Sequence, residues 1–204
     1  MAERFGALLG EDPWGGGYVA PARFAPVVTA GRDFIAGPSP QSRRPAERAM
    51  RPRIVPRLWG VLPPPNAHDR ARRITVVRNP DSPFWIGTLR NSEFRCAIPA
   101  TAIMLWGSET DYEGRRIKHW FAPAGETPFA LAGVWKDEEV PAFALITCEA
   151  QGAPKAAGAP SMPLVLPADA GARHLWLHGD WNAARALIDQ PQHDPLHQLV
   201  APHQ

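Results

Sequence analysis

The stretch from Arg95 to Gly107, RCAIPATAIMLWG, carries no charge after its first residue and sets Cys96, Ile98 and the apolar run from Ala102 to Leu105 around one proline. It reads as a core strand. Similar short apolar runs recur on both sides of it: YVAPARFAPVV (18–28), RIVPRLWGVL (53–62), RITVV (73–77), KHWFAP (118–123), FALAGVW (129–135), AFALITCE (142–149) and MPLVLP (162–167). With 24 prolines and 17 glycines punctuating the chain, this spacing predicts antiparallel strands in a barrel or folded sheet rather than a helical bundle.

Two segments read as helices. ADAGARHLWL (168–177) gathers Ala172, Leu175 and Trp176 on one side, and DWNAARALID (180–189) starts with Asp180 as its N-cap. The expected class is α+β, mostly antiparallel β and barrel-like, with a few short helices. At 204 residues and 45% hydrophobic, the chain can bury one substantial core, so a single domain over 1–190 is expected, followed by a flexible tail over 191–204. PSPQSRRPAER (38–48) reads as an exposed loop. No run approaches a membrane span and MAERFG has no signal-peptide core, which points to a cytoplasmic protein. Cys96 and Cys148 lie far apart in apolar segments and read as reduced, buried packing residues. A monomer is expected.

The net charge of +2 hides a polarity: residues 1–100 carry +7 and residues 101–204 carry −5. Ten arginines fall between positions 43 and 78, accompanied by Trp59. Guanidinium groups pair with phosphate and stack on bases, so this segment fits single-stranded nucleic acid. A GC-rich codon bias and solvated loops account for it as well, and that bland reading is strong. No phosphate loop, nucleophile elbow or metal-spaced Cys/His cluster is present in the sequence. His174 and His178 have metal-ligand spacing, as do His193 and His197, but two histidines make no complete site, so neither a metal nor a cofactor is expected.

The order of the motifs says more than any one of them. MAERFG, RLWGVLPP, SPFW, RCAIP, PFALAGVW, ITCEA and SMPLVLP in this sequence resemble, in order, the SOS response-associated peptidase (SRAP) family over roughly residues 1–180. That resemblance implies a compact α+β fold binding single-stranded DNA in a basic groove. It also implies covalent attachment to abasic sites through a cysteine at position 2, whose amine forms a Schiff base that the thiol closes into a ring. An asparagine, a glutamate and a histidine position the amine and move protons.

Carried over position by position, those residues are missing. The cysteine position holds Ala2, the asparagine position Thr75 (or Ile74 in a register shifted by one), the glutamate position Leu105 and the histidine position Ala159. Four losses at one site imply that the family cross-linking and autopeptidase reactions are gone. The expectation is therefore that Ala2, Thr75, Leu105 and Ala159 surround one depression, Leu105 mostly buried. Arg4, Arg57, Arg73 and Arg78 would meet DNA. The implied function is noncovalent binding of single-stranded or abasic DNA in a DNA-damage (SOS) response. Alternatives are a module that binds a protein partner in DNA repair, and weak Schiff-base chemistry through the Ala2 amine.

Overall fold

A computed structural model describes residues 2–9, 17–30, 52–125, 127–190 and 195–199. The opening stretch is not one strand but two. Arg95–Ala100 (β5) and Ile103–Thr110 (β6) are separated by Thr101 and Ala102, and they belong to different sheets.

The larger sheet contains Leu8–Leu9 (β1), Phe24–Thr29 (β2), Arg53–Trp59 (β3), Val76–Val77 (β4), β5, Phe129–Lys136 (β8), Ala142–Glu149 (β9) and Ser161–Pro163 (β10). β2 pairs with β3 and β5, β5 with β8, β8 with β9, and β9 returns to β3, closing a ring. Most pairings are antiparallel; those of β1 with β3 and of β3 and β4 with β9 are parallel. The barrel-like expectation is realised as this ring-like sheet. The smaller sheet consists of Arg116–Pro123 (β7) between β6 and Leu196–Leu199 (β11).

Both faces of the larger sheet are buried, which is why its strands read as continuous apolar runs rather than alternating ones. Ala97, Ala132, Val134, Ala144 and Ile146 share one apolar cluster with Trp85 and Leu89 of helix Pro83–Arg90 (α1). Trp176 of helix Ala170–His178 (α3) and Ala184 of helix Trp181–Asp189 (α4) join them. The alternate positions Cys96, Ile98, Leu131, Phe143 and Leu145 face a second cluster with Ile103 and Phe121 of the smaller sheet. Gly133 is required where these packings cross: a Cβ there would lie 2.4 Å from Ile98 Cδ1 and 3.1 Å from Ala144 O.

The expected helices form, and the Asp169 and Asp180 carboxylates cap them by accepting from Ala172 N and Ala183 N. A short helix, Gly152–Ala156 (α2), precedes β10. Of the segment expected to be a flexible tail, residues 196–199 instead form β11, held by pairing with β7. The 38–48 loop and His193 lie outside the described residues. His197 lies in β11, whereas His174 and His178 share α3 with ring centroids 4.7 Å apart. Among the described residues no three His, Cys, Asp or Glu side chains converge to hold a metal, and no helix is long and apolar enough to cross a membrane.

Arg95 is wholly buried. Its Nε donates to Trp176 O at 2.6 Å, Nη1 to Leu89 O at 3.2 Å and Nη2 to Gly179 O. Trp176 Nε1 in turn donates to Cys96 O at 2.8 Å. Burial pushes the guanidinium pKa down to about 10, with Asp180 opposing. One arginine thus ties the ends of α1 and α3 to the start of β5.

Candidate functional site

Both sheets wall a cavity of about 980 Å3. Ile98, Leu131, Phe143, Leu145 and Met162, all buried, line it from the larger sheet. Met104, Trp106, Trp120 and Leu199 line it from the smaller one. The register explains why these meet: Met104 pairs with Trp120, Trp106 with Lys118, and Leu199 with Trp120, and cross-strand partners share a face. Tyr18 packs edge-on against Trp120, with ring centroids 5.8 Å apart, and Lys118 Nζ lies 5.5 Å from the Trp106 centroid. Tyr18 and Trp106 remain 62% and 43% exposed, so the aromatic rim is open to solvent.

The cavity is chemically quiet. Among its described lining residues Arg116 alone carries charge; Thr101, Thr147, Ser161 and Tyr18 add hydroxyls, and no Asp, Glu, His, Lys or Cys takes part. Arg116 is steered along the rim by its Nε donating to Gly107 O at 2.9 Å and its Nη2 to Trp106 O at 3.4 Å. The nearby Cys148 does not line the cavity; it is half-buried rather than fully buried, its thiol donates to Met162 O at 3.8 Å, and burial pushes its pKa up.

Close backbone contact brings two of the four anticipated positions together. Ser108 N donates to Ala157 O at 3.0 Å, and Gly158, at φ +83°, passes so near that a Cβ would lie 2.2 Å from Ser108 Oγ. This approach seats Ala159, which is buried, in the same cavity as Leu105. Leu105 is half-buried rather than mostly buried, because β6 forms part of the cavity wall. Its cross-strand partner is His119, whose Nδ1 meets Gln198 Nε2 at 3.2 Å.

Ala2 and Thr75 are not among the lining residues. Ala2 starts a 3-10 turn, Glu3–Phe5, and packs on the helix-side cluster, with its carbonyl accepting from Phe5 N and Ala7 N. Thr75 serves through its carbonyl, which accepts from Trp59 Nε1 at 2.9 Å and Leu145 N at 3.0 Å, while the next residue, Val76, lines the cavity.

The four arginines separate as well. Arg57 is only 4% exposed, lies 4.7 Å from the Trp135 ring centroid and donates to Pro56 O, so it packs inside the fold instead of meeting a ligand at the surface. Arg73 donates to Gly60 O at 2.9 Å and lies 3.9 Å from Glu138. Arg4 donates to Thr127 O and borders a second, smaller depression with Arg173. Arg78 is exposed, two residues beyond Val76.

Residues 13–201 match the model of the SOS response associated peptidase (SRAP) family. The chain belongs to that family. The SRAP match begins beyond Ala2 and Arg4 and takes in every residue that lines the cavity. No curated protein matches the sequence. Solved structures similar to this SRAP chain show its fold. A Bordetella bronchiseptica protein is 17% identical with a TM-score of 0.67, covering 97% of this chain and 92% of its own. A phage-related protein from the same organism is 13% identical with a TM-score of 0.59, covering 89% and 80%. A Bacteroides thetaiotaomicron protein is 15% identical with a TM-score of 0.56, covering 73% and 70%.

The aromatic rim of this cavity escaped sequence reasoning. Its signal was the alternation Met104, Trp106 and Lys118, Trp120, which sets each pair on one face of its strand.

Proposed function

We propose that this SRAP chain binds single-stranded DNA without covalent attachment, in a DNA-damage response. The supporting observation is the open rim of Tyr18, Trp106 and Trp120 beside Arg116 and Lys118, over a cavity whose described lining offers no thiol, amine, carboxylate or imidazole. Unstacked bases lie on the rim aromatics, and their phosphates meet Arg116, Lys118 and, further out, Arg78. Stacking supplies affinity that tolerates any base, about 1–3 kcal/mol each. With Leu105 and Ala159 in the cavity wall and Ala2 outside it, an abasic aldehyde bound there meets neither a thiol to close a ring nor an acid and histidine to move protons.

The test is anisotropy of a labelled oligothymidine against its duplex. Binding is expected for the single strand, with a salt slope of about −2 for three neutralised phosphates. Absence of binding at low salt overturns the reading and leaves a protein partner as the alternative. With an abasic oligonucleotide, no adduct should survive denaturing electrophoresis; a surviving adduct refutes the noncovalent assignment.

A further inference from the structure

The interior of the cavity has a chemistry different from its rim. Behind the aromatics, Ile98, Leu131, Phe143, Leu145 and Met162 supply a wall without side-chain hydrogen-bonding groups. A nucleobase pushed that deep would leave its polar edge without partners, which is unfavourable in an apolar site. An alkyl or aryl body would lose nothing there. The volume of about 980 Å3 lies near the upper end of the roughly 300–1,000 Å3 of small-molecule sites. At the mouth, Arg116 and Lys118 share a neighbour in Trp106, and among the described residues neither has an ion-pair partner.

We propose that this cavity binds a small amphipathic anion, an apolar chain or ring system carrying one carboxylate-type group. The apolar body occupies the interior and the anionic head meets Arg116, whose remaining guanidinium donors are available beside its two bonds to backbone carbonyls. Lys118 adds positive potential at the entrance. The head position overlaps the one proposed for a DNA phosphate, so the two ligands exclude each other. Binding of the small molecule does not depend on DNA being a ligand.

The experiment is calorimetric titration of the whole protein with decanoate below its micelle-forming range, with decanol and butyrate as comparators and tryptophan emission as a second readout. Decanoate should bind one to one and shift the emission, butyrate should not bind, and decanol should bind on the order of tenfold more weakly, the scale of one charge-assisted hydrogen bond. Arg116→Ala should erase the difference between decanoate and decanol. Ala100→Phe and Met104→Trp, which fill the cavity from β5 and β6, should each weaken both long-chain ligands.

Equal binding of butyrate and decanoate, or indifference of decanoate to both filling variants while circular dichroism remains native, overturns the proposal. An unchanged decanoate preference in Arg116→Ala overturns the placement of the head. Decanoate binding without oligothymidine binding refutes only the DNA reading, and the reverse refutes only this inference; displacement of bound oligothymidine by decanoate establishes the shared entrance.

Discussion

Two arginines about twenty positions apart differ sharply in burial. Arg95, at the start of the opening stretch, is sealed inside the fold with each guanidinium nitrogen bonded to a backbone carbonyl. Arg116 lies exposed at the cavity rim beside Trp106, near the other end of that stretch, with donors to spare. The same side chain serves as a rivet in one place and as a receptor group in the other. The contrast teaches that a count of arginines says little about ligands until each fork is assigned its acceptors. Arg57, buried against Trp135, belongs with Arg95 although it lies within the arginine-rich segment.

The contrast can be broken most forcefully at the rivet. Arg95→Ala leaves two buried carbonyls and one half-buried carbonyl without this donor, and should cost about 3 kcal/mol or more, lowering Tm by roughly 10 °C in a thermal melt. A melt within a degree of the wild type would show that the helices do not depend on this tie. Trp106→Ala tests the other region. It should weaken single-stranded DNA binding by about 1–2 kcal/mol in anisotropy titrations while changing stability by less than about 0.5 kcal/mol.

Arg78→Ala sharpens the distinction among the arginines themselves. Loss of one phosphate contact should make the salt slope shallower by about 0.7 with Tm unchanged. Arg57→Met should do the reverse, leaving the slope alone and lowering Tm, because its guanidinium packs on Trp135.

The smallest effect is expected at Glu138, which accepts from Leu62 N at 2.9 Å near Arg73 and Lys136. Burial raises its pKa, and the Leu62 amide and the two cations oppose that rise without cancelling it. The folded state therefore holds the proton more tightly than the unfolded chain. This contribution to stability is full below the ordinary glutamate range and is lost as pH rises through the raised value. Urea midpoints from pH 4 to 7 should show that decline in the wild type relative to Glu138→Gln; parallel profiles would show that Glu138 is not buried in solution.

Much of the fold was legible because its strands are buried on both faces and so read as apolar runs, and because aspartates start the last two helices. Four features were not. The junction at Thr101 and Ala102 is hidden by apolar residues on either side, since composition does not reveal that β5 and β6 join different sheets. Helix α1 starts at Ser82-Pro83, a favourable N-cap and first-turn pair, but SPFW was read as a motif among strands. β11 is short and polar and exists through β7, a partner more than 70 positions away. The cavity arises from register between such distant segments: the family resemblance singled out Leu105 and Ala159, which share the cavity, but also Ala2 and Thr75, which do not line it, whereas the rim aromatics resembled ordinary core residues until Trp106 proved exposed.

β11 has a further consequence for how copies of this protein behave in a crowded solution. By pairing Leu196 to Leu199 with Pro123 to Trp120, it makes β7 an inner strand of its sheet. Cut away from residue 195 onward, the chain would present the amides and carbonyls of β7 along an uncovered margin next to Trp120 and Phe121. Such a margin is a template on which a neighbouring chain can add a strand. β11 therefore moves the margin of the smaller sheet from β7 to its own four residues, and a chain trimmed before residue 195 would offer the β7 margin to an incoming strand.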